Sequence, residues 1–246
     1  MAVGSFDLIA ADYDELWTRS ASGRAQREAV WRRISPLFRE GDRVLDLGCG
    51  TGEDALHLTE RGISIQAIDD SLQMVRIARS RGLNVTHLKL ENLDQLGGVY
   101  EGAISNFGAL NCVERLEPLS EALARLIRPG GYVALCAMGR FCGWETAWYA
   151  LQGKLTKARR RWSGRSFSKS LGMWVHYPSR KQFRNGFERH FKLVGWHGIG
   201  VAVPPSFVKG IPAPIADSLA AIDDYVAHWP GVRAFSDHRL AVLVRR

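Results

Sequence analysis

The 246-residue chain has no long apolar run. No stretch approaches the roughly 20 apolar residues that a helix needs to cross a bilayer. Residues 1–16 also lack the basic start and apolar core of a secretion signal. We therefore expect a cytoplasmic protein without a transmembrane segment. A peripheral contact with a membrane is the one kind of membrane contact that this leaves open.

Cysteine is scarce as well. The four cysteines, Cys49, Cys112, Cys136 and Cys142, form no CxxC pair. A disulfide framework or a zinc site would need paired spacings that are missing here. No cluster of histidine, cysteine and carboxylate residues has metal-ligand spacing, so the sequence predicts no metal. We interpret the thiols as reduced and structural.

Acidic residues are nearly absent from one segment. Residues 139–198 carry 13 basic and 2 acidic side chains, whereas residues 1–138 carry 15 and 19 and residues 199–246 carry 5 and 4. The formal net charge of +8 therefore comes from this segment. Its basic run at 154–161 could be a solvated helix face, a surface for an acidic small substrate or an anionic membrane, or a contact with RNA or DNA. The absence of a nucleic-acid-binding module argues against the last interpretation.

A glycine-rich turn follows the first predicted strand. Residues 44–52 read V-L-D-L-G-C-G-T-G, an apolar run that ends in an acidic residue and then has glycine at every second position. Such a strand, tight turn and helix start let a ligand lie against bare main chain. The carboxylates of Glu53 and Asp54 at the helix start would repel a pyrophosphate, but they suit a cationic or zwitterionic ligand.

An acidic pair ends the second predicted strand, residues 64–68. One carboxylate at such a strand tip can accept hydrogen bonds from both hydroxyls of a ribose. The alternative is that Asp69 or Ser71 caps the helix predicted over 72–81. We favour Asp69 as the ribose ligand, with Asp70 beside it, and Ser71 as the cap.

Four patterns in this order resemble one known family. They are F-D-x-x-A-x-x-Y-D at 6–14, D-x-G-x-G-x-G at 46–52, A-I-D-x-S-x-x-M at 67–74 and I-x-P-G-G-x-x-x-L at 127–135. Together they resemble the class I S-adenosylmethionine (SAM) dependent methyltransferases of the small-molecule type, over a little more than half of the chain. The resemblance implies an α/β fold, a three-layer α/β/α Rossmann-like sheet of seven strands with the last strand antiparallel. It also implies SAM as cofactor and S-adenosylhomocysteine as product.

The resemblance also implies roles for particular residues. The methionine end of SAM is expected at Asp46, Gly48, Cys49 and Gly50, the ribose at Asp69 and Asp70, the adenine at Leu90 and Glu91, and the transferred methyl group at Asn106 and Phe107. Lys89 departs from the pattern, because it stands where the family usually has an aspartate that accepts from the adenine amino group, and a lysine cannot accept that bond.

The candidates for catalysis are Tyr13, Asn106 and His176, and those for contact with the acceptor are Trp144 and Tyr177. Each has a structural alternative. Tyr13 could only pack on the core, Asn106 could tie down its loop together with Asn111, and His176 could be a packed loop histidine.

The remaining patterns predict one methyltransferase domain over 1–246 with a SAM-binding core at 24–138. An aromatic and basic cap insertion is predicted at 139–189, and a second insertion at 198–236 before the last strand. Strands are predicted over 43–47, 64–68, 84–88, 103–105, 132–137, 191–197 and 239–244, and helices over 24–40, 53–61, 72–81, 114–128 and 215–229. A further helix is predicted to start near Arg180, with Ser179 as its N-cap.

We expect methyl transfer to an oxygen or nitrogen of a small organic acceptor, driven by in-line positioning and desolvation rather than by a strong base. Two other classes stay open: a methyltransferase acting on a lipid or nucleic acid through the basic 154–169 segment, and a non-catalytic SAM-binding protein. The sequence leaves the acceptor and the oligomeric state open.

Overall fold

A seven-stranded sheet forms the centre of the molecule. The structure, a computed structural model, describes residues 6–246. The strands of the chain are β1 (Arg43–Leu47), β2 (Ser64–Asp69), β3 (Val85–His87), β4 (Tyr100–Ser105), β5 (Ile127–Met138), β6 (Arg165–Ser168), β7 (Met173–His176), β8 (Phe191–Ile199) and β9 (His238–Arg245). The large sheet has the order β3-β2-β1-β4-β5-β9-β8, and β9 alone runs antiparallel to its two neighbours. The predicted sheet is therefore confirmed. Strands β6 and β7 form a separate antiparallel hairpin.

Helices cover both faces of the sheet. They are α1 (Ala21–Ile34), α2 (Glu53–Thr59), α3 (Leu72–Ser80), α4 (Leu116–Leu126), α5 (Gly143–Leu151), α6 (Leu155–Ala158), α7 (Arg180–Phe187) and α8 (Ala213–Val226). One hydrophobic cluster joins the sheet to α4 and α7, and a second joins it to α1, α2 and α3. Because both faces are covered, the central parallel strands are apolar along their length rather than alternating, as in β1, where Val44, Leu45 and Leu47 are fully buried.

Two element boundaries differ from the sequence prediction for a local reason. Helix α1 ends at Ile34, because Pro36 follows and the chain turns into a short 3-10 helix at Ser35–Leu37. Strand β5 begins at Ile127 rather than at Tyr132. The Pro-Gly-Gly segment lies within it at a register shift, where proline lacks a donor and Gly130 takes a φ of +77°.

The predicted cap holds α5, α6 and the β6–β7 hairpin. Helix α7, which the sequence prediction also placed in the 139–189 insertion, packs into the hydrophobic core through Phe183 and Phe187. As predicted, Ser179 caps α7: its side chain accepts from the main-chain nitrogen of Gln182. The part of the insertion that stands away from the core therefore ends before α7.

The second predicted insertion holds α8, which lies against α1. Asp224 of α8 pairs with Arg32 at 2.7 Å and with Arg33 at 3.4 Å. Among residues 6–246, no helix is both long and apolar enough to cross a membrane.

Candidate active site

A cavity of about 490 Å³ opens at the carboxyl ends of β1, β2 and β4. Its walls come from the glycine turn, the tip of β2, the segment after β3, the loop after β4, the chain before α1 and the cap. Of the predicted site residues, it is lined by Tyr13, Gly48, Cys49, Gly50, Asp69, Asp70, Leu90, Glu91, Asn106 and Phe107.

Two glycines shape the turn after β1 for different reasons. Gly48 has a φ of +76°, and a Cβ there would lie 2.2 Å from the Cβ of Ala109. Gly50 has a φ of +55°, and a Cβ there would meet no atom within 4 Å. The first glycine therefore permits packing against the loop after β4, whereas the second keeps the cavity wall bare.

Asp69 is held by main-chain donors on both carboxylate oxygens. Its Oδ2 accepts from the nitrogen of Gly50 and its Oδ1 from the nitrogen of Ser71, each at 2.8 Å. A carboxylate oxygen can accept a further bond, so both oxygens keep capacity for ribose hydroxyls. Burial raises the pKa of Asp69, and the two main-chain bonds oppose that rise. Ser71 caps α3 as predicted, by accepting from the nitrogen of Met74.

Asp46 lies beneath the turn and is not among the residues that line the cavity. It is 1% exposed, and its Oδ2 atom has no hydrogen-bond partner within residues 6–246. Burial, followed by the charges of Asp54 and Asp69, raises its pKa well above the ordinary value. From this position Asp46 contributes to the electrostatics of the turn rather than to the cavity wall.

Asn106, the residue after β4, lines the cavity and has a buried side-chain amide. Asn106 is 6% exposed, and both atoms of its side-chain amide lack a hydrogen-bond partner within the described chain. The next residue, Phe107, is the one non-glycine residue of that chain with a positive φ, at +54°. This strained backbone turns Asn106 and Phe107 toward the cavity. Asn111, by contrast, ties down the loop, because its amide bonds the main chain of Met138 at 2.9 and 3.1 Å.

The chain before α1 folds over the cavity. Asp7 accepts from the hydroxyl of Ser71 at 2.6 Å, which fixes the segment to the start of α3. Asp14 accepts from the hydroxyl of Thr51 at 2.7 Å and pairs with Arg81. These contacts hold Tyr13 at the cavity, where burial raises the pKa of its hydroxyl to about 12.

The opposite side of the cavity is formed by residues 88–91 with Met74. Lys89 points its ammonium at Asp70, with Nζ 3.7 Å from Oδ2. The lysine that breaks the family pattern therefore neutralises the acidic tip of β2 and leaves Leu90 and Glu91 on the wall.

Three predicted residues lie away from this wall. Tyr177 is buried in the cap, with its hydroxyl 2.9 Å from that of Ser166. Trp144 donates its indole N–H to the carbonyl of Ala202 at 3.0 Å. His176 ends β7, and its carbonyl accepts from Asn111. These contacts are structural, and the cap residue that reaches the cavity is instead Met173.

Arg27 also lines the cavity, although no sequence pattern predicted this position. It is one of four arginines along α1, and nothing in the spacing separates it from the other three. Its guanidinium pairs with Asp54 at 2.7 Å and lies 4.5 Å from the ring centre of Trp17 and 5.3 Å from that of Phe107.

The cysteines are free, and burial raises their pKa values, to about 12 for Cys112 and Cys142. Within residues 6–246, no group of three or more His, Cys, Asp or Glu side chains could hold a metal ion.

The fold and the site together define a class. A parallel sheet with one antiparallel strand carries, at its carboxyl edge, a glycine turn, a carboxylate that is bonded to this turn, and a buried amide without a partner within residues 6–246. A family model described as a methyltransferase domain matches residues 21–190. The chain belongs to this family, the class I SAM-dependent methyltransferases, whose cofactor is SAM.

Individual relatives agree with this family. The chain is 30% identical over 138 residues to a demethylmenaquinone methyltransferase of Clavibacter sepedonicus, covering 53% of this chain and 55% of the relative. It is 32% identical over 109 residues to a ubiquinone biosynthesis O-methyltransferase of Xanthomonas oryzae pv. oryzae, covering 41% and 44%. The chain thus spans about half the length of the curated relatives it matches. A methyltransferase solved with the Haloferax volcanii Trm112 activator shares the fold, with a TM-score of 0.65 at 18% identity over 99% of this chain and 97% of that one.

Proposed function

We propose that this protein transfers the methyl group of SAM to an oxygen or nitrogen of a small, largely apolar organic acceptor. The observation that carries the proposal is the cavity, which combines a ribose-type carboxylate, a bare glycine turn and an unpaired amide in one continuous wall. Its volume of about 490 Å³ lies in the range of small-molecule sites.

The residues of the cavity fit SAM in a definite order. Asp69 would hold the ribose, Gly48 and Gly50 would face the methionine chain, and Leu90 would lie by the adenine. SAM supplies an electrophilic methyl group when it is bound. The protein would orient the acceptor in line with that group and exclude water. The segment before α1, which covers the cavity, would exclude the water.

Two of the ionisable groups on the wall, those of Tyr13 and Cys112, favour positioning over base catalysis. Tyr13, with a pKa near 12, keeps its proton at neutral pH and donates hydrogen bonds instead of abstracting protons. Cys112 keeps its proton for the same reason. A suitable acceptor is therefore one whose nucleophilic atom is already ionised or readily gives up its proton to water.

Apolar side chains support an aromatic acceptor. Phe107, Val113 and Met173 form the part of the wall that is not needed for ribose or adenine. One relative is named a demethylmenaquinone methyltransferase and another a ubiquinone biosynthesis O-methyltransferase, so a hydroquinone, whose ring hydroxyls are nucleophilic, is a reasonable first acceptor. The free thiols favour a reducing compartment, and we infer a cytoplasmic location.

The test is a transfer assay with methyl-labelled SAM and a set of phenols, hydroquinones and aromatic amines. We expect S-adenosylhomocysteine to form only when an acceptor is present, and its rate to fall at least about ten-fold in Asn106→Ala. Binding of SAM with no product from any member of the set would favour the non-catalytic alternative and contradict the proposal.

A second candidate is action on a lipid at a membrane surface, and the outer face of the cap favours it. Phe167 and Trp174, a cross-strand pair on the hairpin, are 52% and 49% exposed, and Arg165 lies 4.9 Å from the Trp174 ring centre. On the α5–α6 corner, Leu151 and Leu155 are exposed beside lysines. Phe167 and Trp174 could stack on bases, but Leu151 and Leu155 cannot, so it is the exposed leucines that favour an anionic bilayer over a nucleic acid.

One cation of the basic run, Arg161, is excluded from any such surface because it is buried. Arg160 and Arg161 both pair with buried Glu145, at 2.6 Å each, and Arg161 also pairs with Asp237 at 2.8 Å. The interpretation of the whole run as one exposed face is therefore wrong. The exposed cations left for a surface are Lys154, Lys157, Arg159, Arg160, Arg165 and Lys169, and of these Arg160 is already paired with Glu145.

A further inference from the structure

A second pocket, of about 350 Å³, lies between the start of α1 and the loop before α8. It shares no lining residue with the large cavity. One wall consists of residues 15–16 and 20–22, and the other consists of Ser206 and residues 208–211. Its volume lies within the range of small-molecule sites, so it has room for more than a bare ion.

Two main-chain donors in the first turn of α1 are free at this pocket. Ser20, the N-cap, accepts the N–H of Gly23 on its Oγ at 3.0 Å and the N–H of Arg24 on its carbonyl at 2.9 Å. The N–H groups of Ala21 and Ser22 have no acceptor within residues 6–246. Because the first turn itself carries no acidic residue, the positive end of the helix dipole is not neutralised from within the helix.

A buried hydroxyl is the second, independent sign of a ligand. Ser22 lines the pocket and is only 3% exposed, and its hydroxyl makes no hydrogen bond within the described chain. The hydroxyl is nevertheless open to the pocket, because the sealed side-chain atoms without a partner in that chain all belong to other residues. A buried polar group without a partner costs free energy, which a ligand at this point recovers.

The charges around the pocket favour an anion. Lys209 is an exposed cation on the second wall. The carboxylate of Glu15 also lines the pocket, but it is paired with Arg19 at 3.0 Å. Leu16 and Ile211 add apolar surface beside these polar groups. The pocket therefore suits a molecule that has an anionic end and a small apolar part.

We propose that the second pocket binds a small organic phosphate monoester. The phosphate lies against the N–H groups of Ala21 and Ser22, the Ser22 hydroxyl and the Lys209 ammonium. Free N–H groups and the dipole act together at a helix N-terminus, which makes it a phosphate-binding position. A phosphate monoester also offers three acceptor oxygens and carries more charge at neutral pH than a carboxylate does. The organic part packs against Leu16 and Ile211.

Calorimetric titration with phenyl phosphate tests the site. The wild type should bind one equivalent. Ser22→Ala removes one hydroxyl donor and should weaken binding at least about ten-fold, because a hydrogen bond to a charged group is lost. Ala21→Glu places a carboxylate where the anion lies and should abolish binding. Lys209→Gln should weaken binding and reduce its dependence on salt.

Two controls keep the test interpretable. Lys192→Gln removes the same charge from an exposed position of β8, away from the pocket, and should leave the affinity unchanged. Thermal unfolding shows whether each variant is folded. Ala21→Glu should unfold no lower than the wild type, because a carboxylate in the first turn of a helix is favourable. Loss of binding in this variant therefore reports on the pocket rather than on the fold.

Two further ligands identify the part of the molecule that is recognised. Benzoate lacks the phosphate and inorganic phosphate lacks the ring, so each should bind at least about ten-fold more weakly than phenyl phosphate. Equal affinity for either one would overturn the assignment to an organic phosphate.

Two results would overturn the site itself. One is a Kd above about 10 mM for the wild type. The other is equal binding by the wild type, Ser22→Ala and Ala21→Glu, which would place the ligand elsewhere. Neither result bears on the proposed methyl transfer, because the two cavities are separate.

Discussion

Single residues at the turn after β1 decide whether the cavity can exist. Gly48 and Gly50 both need a left-handed backbone, but only Gly48 is also in close contact with a neighbour, Ala109. The motif alone does not distinguish the two glycines, because the difference arises from a loop about sixty residues later in the chain.

Alanine substitutions separate backbone strain from steric overlap. Gly50→Ala should cost about 1–2 kcal/mol of unfolding free energy, because an L-residue is strained at its φ and meets no neighbour. Gly48→Ala should cost clearly more, because its Cβ must also displace Ala109. Urea denaturation of the two variants checks this, and equal losses would show that the Ala109 contact is easily relieved.

The carboxylates of the segment before α1 bond this segment to the rest of the fold. Asp14 is only partly buried, and although burial alone would raise its pKa, bonds from Thr51, Arg81 and Thr18 hold the pKa below the ordinary value. A carboxylate with a lowered pKa in the folded state stabilises that state above its unfolded pKa of about 4, and this contribution is lost as the pH falls further.

A pH series on matched proteins tests this contribution. The wild type should melt at a higher temperature than Asp14→Asn at pH 7, and the gap should narrow below about pH 4 as Asp14 becomes protonated. Other acids titrate in both proteins, so the difference isolates Asp14. A gap that stays constant down to pH 3 would contradict the linkage.

The cap is joined to the sheet by a buried ionic cluster. Arg161 lies between Glu145 of α5 and Asp237 at the start of β9, and all three side chains are at most 6% exposed. Burial alone would raise the pKa of Asp237, but the charges of His238 and Arg161 overcome it and hold the pKa well below the ordinary range.

Removing the shared cation should destabilise the protein strongly. Arg161→Met removes the cation that Glu145 and Asp237 share and leaves these carboxylates only Arg160 and His238, respectively. Loss of one side of a buried pair costs about 3–5 kcal/mol. Arg159→Gln, two positions earlier and exposed, should change stability by less than about 0.5 kcal/mol. Similar losses in the two variants, measured by urea unfolding, would show that the cluster does not hold the cap.

At the scale of the whole molecule, the exposed cations of the cap form the surface on which the lipid candidate depends. Sedimentation with phosphatidylglycerol vesicles should pull down the wild type, and less so as salt is raised. The variant replaces Lys154, Lys157, Arg165 and Lys169 with Gln, and the matched control replaces Arg39, Arg61, Arg76 and Lys192 with Gln.

The two quadruple variants have the same net charge. Binding should fall at least about ten-fold in the cap variant and much less in the control. Equal losses in both would mean general attraction of a basic protein to an anionic surface, and no sedimentation of the wild type would remove the lipid candidate.

The sequence predicted the sheet, because strands, glycine turns and caps are local patterns, and Gly48, Gly50 and Asp69, which it proposed for the site, line the cavity. Ser71 and Ser179 cap their helices as predicted, since a cap depends on residues three positions apart. The roles of Arg27 and Met173 could not be predicted, because they come to the cavity only through the packing of α1 and of the hairpin.

The basic run at 154–161 is a second case in which the sequence did not predict the packing. Neighbouring arginines look alike in sequence, but Arg159 is exposed while Arg161 is buried against Asp237, 76 positions away. Composition therefore predicted a charged segment, but it did not predict which of its side chains form buried ion pairs. The β6–β7 hairpin was missed for a related reason, because each of its strands has only four residues.

The central claim is that this cavity binds SAM with the ribose on Asp69. Isothermal titration of SAM into the wild type, Asp69→Asn and Asp69→Ala measures it most directly, with exposed Asp94→Ala as control. The account predicts micromolar binding by the wild type and the control, and at least about ten-fold weaker binding by both Asp69 variants. No binding by the wild type, or full affinity in both folded Asp69 variants, would contradict it.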